Sequence, residues 1–223
     1  MADAGPGIVR PARRPPGWRA PGPRPAGDAR LGPGPGEDLC YLAGDWRIFQ
    51  RVHGQRWSLD DLVTAWFAAT AVGDGPPPGQ VLDLGCGIGT VLLLLAWRFP
   101  AAHCVGVEAE GVSVDLARRS VTWNGVGARC EVRHGDLRAP SLVPEGPVFD
   151  LVTGTPPYLP PGTTTESEQV QRGPAHVEHR GGIEAYCLAA ARLLAPGGCF
   201  VTCAGGRQVA RVRAAGCAAG LAI

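Results

Sequence analysis

Short apolar segments alternate with longer helical segments between residues 80 and 205. The apolar segments have the length of buried strands: QVLDLG (80–85), HCVGVE (103–108), RCEVRHGD (129–136), PVFDLVTG (147–154) and CFVTCAG (199–205). Segments of helical character lie between them, such as TVLLLLAWRF (90–99), VSVDLARRSVTWNG (112–125) and GGIEAYCLAAARLLAPGG (181–198). Alternation of this kind is typical of βαβ units, because two parallel strands need a crossover between them. The sequence therefore predicts an α/β domain with a doubly wound, mostly parallel sheet.

Residues 1–36 differ from the rest of the chain in composition. Pro and Gly dominate this segment, six Arg are scattered through it, and its acids are Asp3 and Asp28. Such a segment buries too little apolar surface to offset its ordering entropy. An organelle transit peptide and a basic arm for nucleic acid are alternatives, but transit peptides are rich in Ser and amphipathic. We therefore expect a disordered tail at 1–36 and a folded domain at 37–223.

The first part of the predicted domain begins with a short strand or hairpin in YLAGDWRIFQR (41–51). Ser58 then precedes the apolar run LDDLVTAWFAATAV, and Asp61 lies three residues after it. This S-x-x-D spacing is that of a capping box, which predicts that a helix starts at Ser58. The Pro-rich loop from Gly73 to Gly79 is expected to end this helix.

Cysteine spacing and hydropathy exclude several classes of protein. The eight cysteines form no CxxC pair and have no histidine at zinc spacing, so we expect reduced thiols and no metal. The longest apolar run, VLLLLAWRF at 91–99, is shorter than the ~20 residues that cross a membrane. The net charge of +1 argues neither for nor against a nucleic-acid partner. A cytoplasmic protein without a membrane partner is the expectation.

A glycine-rich segment joins the first core strand to its helix. Its sequence is Asp83-Leu-Gly-Cys-Gly-Ile-Gly-Thr90, with glycines at 85, 87 and 89. Glycines allow close approach of a ligand to the backbone, because no Cβ intervenes. The G-x-G-x-G spacing differs from the dinucleotide pattern G-x-G-x-x-G, and the preceding acid would repel a pyrophosphate but suit a cationic ligand.

Two further acids close the next two strands. Glu108 ends VGVE, 25 residues after Asp83, where a carboxylate can accept hydrogen bonds from both hydroxyls of a ribose. Asp136 ends RHGD, where a carboxylate can accept a hydrogen bond from an adenine amino group. In a doubly wound sheet all three acids lie at the carboxyl edge of adjacent strands and face one crevice. The order of glycines and acids therefore favours a ligand site.

Residues 80–137 resemble the cofactor half of class I S-adenosylmethionine-dependent methyltransferases, whose sheet is Rossmann-like. The resemblance implies that the loop from Asp83 through Gly85, Cys86 and Gly87 to Gly89 binds the methionine part of S-adenosyl-L-methionine. It further implies that Glu108 binds the ribose and Asp136 the adenine. The positive sulfonium explains why an acidic loop suits this cofactor better than a phosphate-binding loop.

The fourth predicted strand ends abruptly in Thr155-Pro156-Pro157-Tyr158. Proline cannot donate to a sheet ladder, so the strand must stop there. The segment resembles the [D/N]-PP-[Y/F] signature of amino-group methyltransferases. The resemblance implies that a backbone carbonyl and the first side chain accept hydrogen bonds from a planar NH2 group, while the aromatic ring stacks on the substrate. Thr155 replaces the usual Asn or Asp, and a hydroxyl lacks the planar donor and acceptor of an amide.

A wider stretch, from about residue 41 to 204, resembles the bacterial tRNA adenine-N6 methyltransferase group. This resemblance implies methylation of adenine N6 in tRNA or another RNA. Charged residues after the turn would then meet phosphates, namely Arg172, His176, His179 and Arg180. Two alternatives remain open: methylation of glutamine N5 in a protein, as in the release-factor methyltransferases, and a cofactor-binding scaffold without full activity.

The end of the sequence differs from the seven-stranded sheet of these enzymes, in which the last two strands form an antiparallel hairpin. CFVTCAG is followed by the helical stretch RQVARVRAAG and then by Leu221-Ala222-Ile223. We therefore expect a sheet without its C-terminal strands, as in a shortened form of the protein. The fifth strand would then present an apolar edge, which is a liability for aggregation.

Overall fold

Five parallel strands form the central sheet of the computed structural model, which describes residues 14–20, 31–73, 75–139, 148–157, 178 and 181–223. In chain order these strands are β3 (Gln80–Leu84), β4 (His103–Glu108), β5 (Cys130–His134), β6 (Phe149–Gly154) and β7 (Leu194–Thr202). Their spatial order is β5-β4-β3-β6-β7. The predicted doubly wound, Rossmann-like α/β fold is confirmed.

The remaining elements precede the sheet or cross over it. An antiparallel hairpin, β1 (Glu37–Tyr41) and β2 (Arg47–Arg51), comes first in the chain. The helices are α1 (Leu59–Ala71), α2 (Thr90–Arg98), α3 (Gly111–Trp123), α4 (Ile183–Leu193) and α5 (Val209–Ala218). A 3-10 turn at Gly206–Gln208 leads into α5. None of the helices in the described ranges is long and apolar enough to cross a membrane.

The strand order places a crevice beside the central strand. From β3 the chain moves outward through β4 and β5, and it then returns to β6 on the other side of β3. The loops that follow β3 and β6 therefore diverge at the carboxyl edge of the sheet. Open α/β sheets bind ligands at such a switch point. The glycine segment follows β3 and the proline turn follows β6, so both flank this crevice.

Two apolar layers cover the sheet. Helices α1, α2 and α3 and the hairpin share one core, in which Leu92, Leu93 and Leu95 of α2 are fully buried beside Trp46 and Phe49. Each such leucine contributes roughly 1.5–3 kcal/mol through burial. Helix α4 covers the other face, against the side chains of β3 and β6. This packing holds the carboxyl ends of the strands in a rigid frame.

Helix α1 starts where the capping-box spacing predicts. Its first residue is Leu59, and the Asp61 carboxylate accepts a hydrogen bond from the backbone N–H of Ser58 at 2.8 Å. The inner face of this helix is lined by small residues such as Ala65 and Ala68, which allow close packing against its neighbours. Its outer face leaves Trp66 largely exposed.

The last strand begins earlier than the sequence predicts. Strand β7 starts at Leu194, directly after α4, whereas the pattern places it after the Pro196-Gly197-Gly198 turn. Leu194 pairs with Phe149 and Cys199 pairs with Leu151, so the intervening residues form a register irregularity. Beyond this irregularity the pairing with β6 resumes at Cys199 in a shifted register. In the described residues β7 lies at one edge of the sheet and β5 at the other.

The folded domain begins before residue 37. Leu31 is buried, and the Arg119 guanidinium donates to the Gly32 carbonyl at 2.8 Å and to the Glu37 carboxylate at 2.7 Å. Residues 31–36, which composition assigns to a disordered tail, thus pack against α3. Farther upstream, Arg14 forms an ion pair with Asp45 at 2.7 Å. Residues 1–13 and 21–30 of the expected tail lie outside the described part of the chain.

Candidate functional site

The glycine segment between β3 and α2 needs residues without a side chain. Gly85 and Gly87 have φ values of +61° and +54°, in the left-handed region that L side chains rarely adopt. A Cβ at Gly85 would lie 2.2 Å from the Tyr186 hydroxyl oxygen, and one at Gly87 would lie 2.7 Å from Gln55 Nε2. Gly89 follows as the N-cap of α2. Backbone conformation therefore favours glycine at both positions, and at Gly85 the Tyr186 ring leaves no room for a side chain.

Cys86 turns its side chain away from the crevice. The residue is buried, and its Sγ lies 2.7 Å from the position that a Cβ on Gly106 of β4 would take. Burial raises the pKa of the thiol well above its usual value, so the sulfur stays protonated. The Cys86 backbone N–H donates to the Val107 carbonyl at 3.0 Å. Any ligand contact of Cys86 would come from its backbone, and its sulfur belongs to the core.

Asp83 lies beneath the glycine segment and is buried, whereas the sequence places it at the edge of the crevice. Its side chain is 2% exposed, accepts from the Leu92 N–H at 3.1 Å and accepts from the Thr153 hydroxyl at 2.9 Å. Desolvation on burial raises the pKa of Asp83 to about 7. Leu82 and Leu84 face the α4 side of the sheet, so pleat alternation sends Asp83 toward α2. The carboxylate of this β3 residue thus links β3 to α2 and β6 through hydrogen bonds beneath the glycine segment.

Glu108 fastens the glycine segment to the end of β4. One carboxylate oxygen accepts from the Gly87 N–H at 2.9 Å, and the other accepts from the Glu110 N–H at 2.7 Å. The side chain is half-buried. Each carboxylate oxygen has two lone pairs, so both can accept a further hydrogen bond. Glu108 is thus positioned to receive donors from a ligand while it supports the loop.

Asp136 lies just beyond β5 and is engaged by a nearby arginine. Its carboxylate accepts from the Arg138 backbone N–H at 2.9 Å and from the Arg138 guanidinium at 2.8 and 2.5 Å. This pairing holds the carboxylate in place at the edge of the sheet. The guanidinium also adds a positive group that the sequence analysis did not assign to the site.

The proline turn begins beside the end of the central strand. Gly154, the last residue of β6, pairs with Leu84, the last residue of β3. Thr155 is half-buried, Pro156 is buried and Pro157 is half-buried. The turn therefore leaves the sheet next to Gly85. Tyr158 and the charged residues Arg172, His176, His179 and Arg180 lie outside the described residues.

Three further residues lie beside the site without a motif that marks them: Tyr186, Thr153 and Gln55. Tyr186 lies in the first half of α4 and contacts the glycine segment, while Thr153 donates to Asp83. The Gln55 side chain accepts from the Ser113 hydroxyl at 3.3 Å at the start of α3. Thr153 could have been found from the sequence, because it is a polar residue near the end of a mostly apolar predicted strand. No local pattern indicates the other two residues, because they approach the loop from distant parts of the chain.

Comparison with known proteins agrees with this geometry. Residues 81–166 match the family model described as a methyltransferase domain. A SAM-dependent methyltransferase from Agrobacterium tumefaciens has the same fold, with a TM-score of 0.54 at 18% identity over 76% of this chain and 52% of that one. Over residues 81–166 the chain is therefore similar to a methyltransferase domain. The cofactor of such a domain is S-adenosyl-L-methionine.

Three curated methyltransferases are similar to this domain. A release factor glutamine methyltransferase of Mycolicibacterium smegmatis is 35% identical over 45% of this chain and 35% of its own length. A 4-amino-L-phenylalanine/4-methylamino-L-phenylalanine methyltransferase of Streptomyces pristinaespiralis is 39% identical over 60% of this chain and 46% of its own length. A tRNA1(Val) (adenine(37)-N6)-methyltransferase of Porphyromonas gingivalis is 30% identical over 61% of this chain and 53% of its own length. The chain thus spans about half the length of these relatives or less.

The residues of this methyltransferase domain fit its cofactor. Glycine at 85 and 87 leaves the loop backbone without side chains of its own beside Tyr186 and Gln55. A half-buried carboxylate, Glu108, lies beside the loop, and Asp136 follows on the next strand. A cationic sulfonium is favoured near such acids, since opposite charges attract more strongly in a partly buried crevice.

Proposed function

We propose that this chain is an S-adenosyl-L-methionine-dependent N-methyltransferase that acts on a planar amino group, with adenine N6 of tRNA or another RNA as the first candidate. One observation carries the proposal. The turn Thr155-Pro156-Pro157 starts beside Gly85, because Gly154 and Leu84 are paired at the ends of adjacent strands. An amino group held at this turn would face the cofactor loop across the switch point of the sheet.

The names of the similar proteins support the class of acceptor. Glutamine, 4-amino-L-phenylalanine and adenine each present an NH2 group on a planar amide or aromatic system. Such a nitrogen is uncharged at neutral pH, so a methyltransferase can act on it without a strong base. The tRNA methyltransferase favours RNA as the substrate, and the release factor methyltransferase favours a protein glutamine.

For the cofactor we propose a division of roles among the strand ends. The backbone of Gly85, Cys86, Gly87 and Gly89 would bind the methionine part, while Glu108 would accept the ribose hydroxyls. Asp136 would accept from the adenine amino group, with the Arg138 pair fixing its orientation. Asp83 would act indirectly, because its carboxylate holds α2 and β6 together under the loop.

The reaction needs orientation more than acid–base chemistry. When bound, the cofactor supplies a methyl group on a positively charged sulfur, which is a good leaving group. The chain would hold the acceptor nitrogen with its lone pair toward that methyl group, and the proton lost by the nitrogen would pass to water. Thr155 and a backbone carbonyl of the turn would accept hydrogen bonds from the NH2 group and aim its lone pair. Pro156 and Pro157 would stiffen the turn, and the Tyr158 ring would stack on the acceptor.

The substrate assay should separate the candidates. Protein and radiolabelled S-adenosyl-L-methionine would be incubated with total tRNA, with DNA, with a protein extract and with 4-amino-L-phenylalanine. We expect label in tRNA that digests to N6-methyladenosine. Label confined to protein would favour the glutamine alternative. Cofactor binding without label in any of these would favour a binding scaffold.

Replacement of Glu108 tests the cofactor roles directly. Glu108→Ala should weaken S-adenosyl-L-methionine binding by roughly 1–3 kcal/mol in calorimetry, because it removes charge-assisted hydrogen bonds to the ribose and leaves the Gly87 N–H without its partner. Glu131→Ala is the matched control, since this exposed acid lies within β5, away from the carboxyl edge. Equal affinities of the two variants would contradict the assignment.

Replacement of Thr155 tests the acceptor turn. Thr155→Asn should leave the transfer rate unchanged or raise it, because an amide supplies the planar acceptor of the [D/N]-PP-[Y/F] signature. The measurement is the initial rate at saturating cofactor, with Pro156→Ala as a variant that loosens the turn. If Thr155→Asn abolished transfer, a hydroxyl would be a specific requirement and adenine would lose its place as first candidate.

A further inference from the structure

We propose that Tyr186 is a cofactor-contacting residue, whose hydroxyl forms a hydrogen bond with the amino-acid part of S-adenosyl-L-methionine. The inference rests on the proposed function and names a residue of α4 that neither the glycine loop nor the strand-end acids include. Tyr186 reaches the site from about 100 residues beyond the glycine segment, through tertiary packing.

The position of the ring follows from the direction of α4. In a βαβ arrangement the crossover helix runs back along the sheet, so it begins at the carboxyl edge of the strands. Tyr186 lies in the first turn of α4, which starts at Ile183. Its side chain therefore reaches the edge where β3 and β6 end. A Cβ at Gly154 would lie 2.6 Å from the Tyr186 ring, and one at Gly85 would lie 2.2 Å from its hydroxyl oxygen.

These two contacts give the side chain a bridging position. The ring lies against the last residue of β6, directly before the proline turn, and the hydroxyl lies against the first glycine of the cofactor loop. A phenylalanine would fill the same space against Gly154, so the ring alone serves packing. The hydroxyl adds a polar group at the glycine loop, in a residue that is 6% exposed.

The Tyr186 hydroxyl, which lies against Gly85, is within the electrostatic influence of the strand-end acids. Burial raises the pKa of the Tyr186 phenol, and the charges of Glu108, Asp83 and Asp136 raise it further, so the group stays neutral. Carboxylates from three neighbouring strands therefore act on the same hydroxyl. The hydrogen bonds found among the described residues include none to this oxygen. A neutral phenol can both donate and accept, which suits an amino-acid group carrying an ammonium and a carboxylate.

The test compares two nucleosides that differ in the amino-acid part. S-adenosylhomocysteine carries it, whereas 5′-methylthioadenosine has only a methyl group on the same sulfur. In calorimetry, Tyr186→Phe should bind S-adenosylhomocysteine about tenfold more weakly, as expected for the loss of one hydrogen bond of about 1.4 kcal/mol. Its affinity for 5′-methylthioadenosine should match the wild type. Tyr41→Phe is the matched control, because Tyr41 is exposed on β1.

Other outcomes overturn the inference in distinct ways. Equal S-adenosylhomocysteine affinity in Tyr186→Phe and wild type would show that the hydroxyl contacts no ligand. An equal loss for both nucleosides would show a change in loop shape, and the melting temperature would then fall as well. Wild-type protein that binds neither nucleoside would overturn this inference together with the proposed function. Binding with the expected difference but without methyl transfer would overturn the proposed function alone.

Discussion

Burial of Asp83 should make the stability of the domain depend on pH in a predictable direction. The carboxyl is 2% exposed, and desolvation raises its pKa from 3.8 to about 7. A raised pKa means that the folded state binds the proton more tightly than the unfolded state does. The contribution of this group is therefore fully favourable below about pH 4 and is lost as the pH rises through about 7. The isosteric variant Asp83→Asn cannot ionise, so it should lack this loss.

The magnitude follows from the two pKa values. With 3.8 for the unfolded chain and about 7 for the folded one, ionisation of Asp83 lowers stability by roughly 2–3 kcal/mol between pH 5 and pH 8. An asparagine at position 83 can keep hydrogen bonds with both Leu92 and Thr153. Its carbonyl accepts from the Leu92 N–H, and its amide can donate to Thr153, whose hydroxyl also lies 3.4 Å from the Leu82 carbonyl. Asp83→Asn should therefore fold.

Urea unfolding of both proteins at pH 5, 6, 7 and 8 would measure the effect. The difference in unfolding free energy, Asp83→Asn minus wild type, should grow by roughly 2–3 kcal/mol across this range. Contributions of other titrating groups cancel in that difference to first order. In a domain of this size the same change corresponds to roughly 5–10 °C in melting temperature.

A difference that stays constant from pH 5 to pH 8 would refute the reasoning. It would mean that the folded-state pKa of Asp83 is not raised, either because the carboxylate is solvated or because the hydrogen bonds from Leu92 and Thr153 outweigh desolvation.

Two further predictions concern backbone and boundary. Gly85→Ala should lower the free energy of unfolding by roughly 2–5 kcal/mol in urea. Two costs add: alanine is strained in the left-handed backbone conformation, and its Cβ would overlap the Tyr186 hydroxyl. Gly36→Ala has similar strain at φ +73° but nothing within 4 Å, so it should cost only about 1–2 kcal/mol, and equal costs would argue against the overlap. Arg119→Lys should cost roughly 1–3 kcal/mol and speed proteolysis within residues 31–36, because it breaks the paired contact with Glu37; an unchanged cleavage rate would speak against this anchor.

Much of the fold could be predicted from local patterns. Strand and helix positions follow from hydrophobic period and from the residues that end elements, so the alternation from 80 to 205 predicts the parallel sheet correctly. The glycine segment and the acids that follow successive strands predict a crevice at the carboxyl edge, because parallel strands end at the same edge of the sheet. The start of α1 was also predictable, because the Ser58 and Asp61 pair acts within one turn. Each of these features depends on residues that are close together in the chain.

Only the tertiary structure shows which of those residues are buried and which lie at the surface of the crevice. Asp83 turns inward because pleat register and Thr153, 70 residues away, hold it beneath the loop. Tyr186 joins the site because α4 begins at the carboxyl edge, and Leu31 joins the core because Arg119 of α3 captures the neighbouring backbone. Composition and spacing carry no information on such contacts, since they depend on strand order and on the direction of each side chain. Local sequence patterns thus predict the elements and the edge of the sheet at which the proposed site lies, whereas packing between distant segments decides which side chains are buried there.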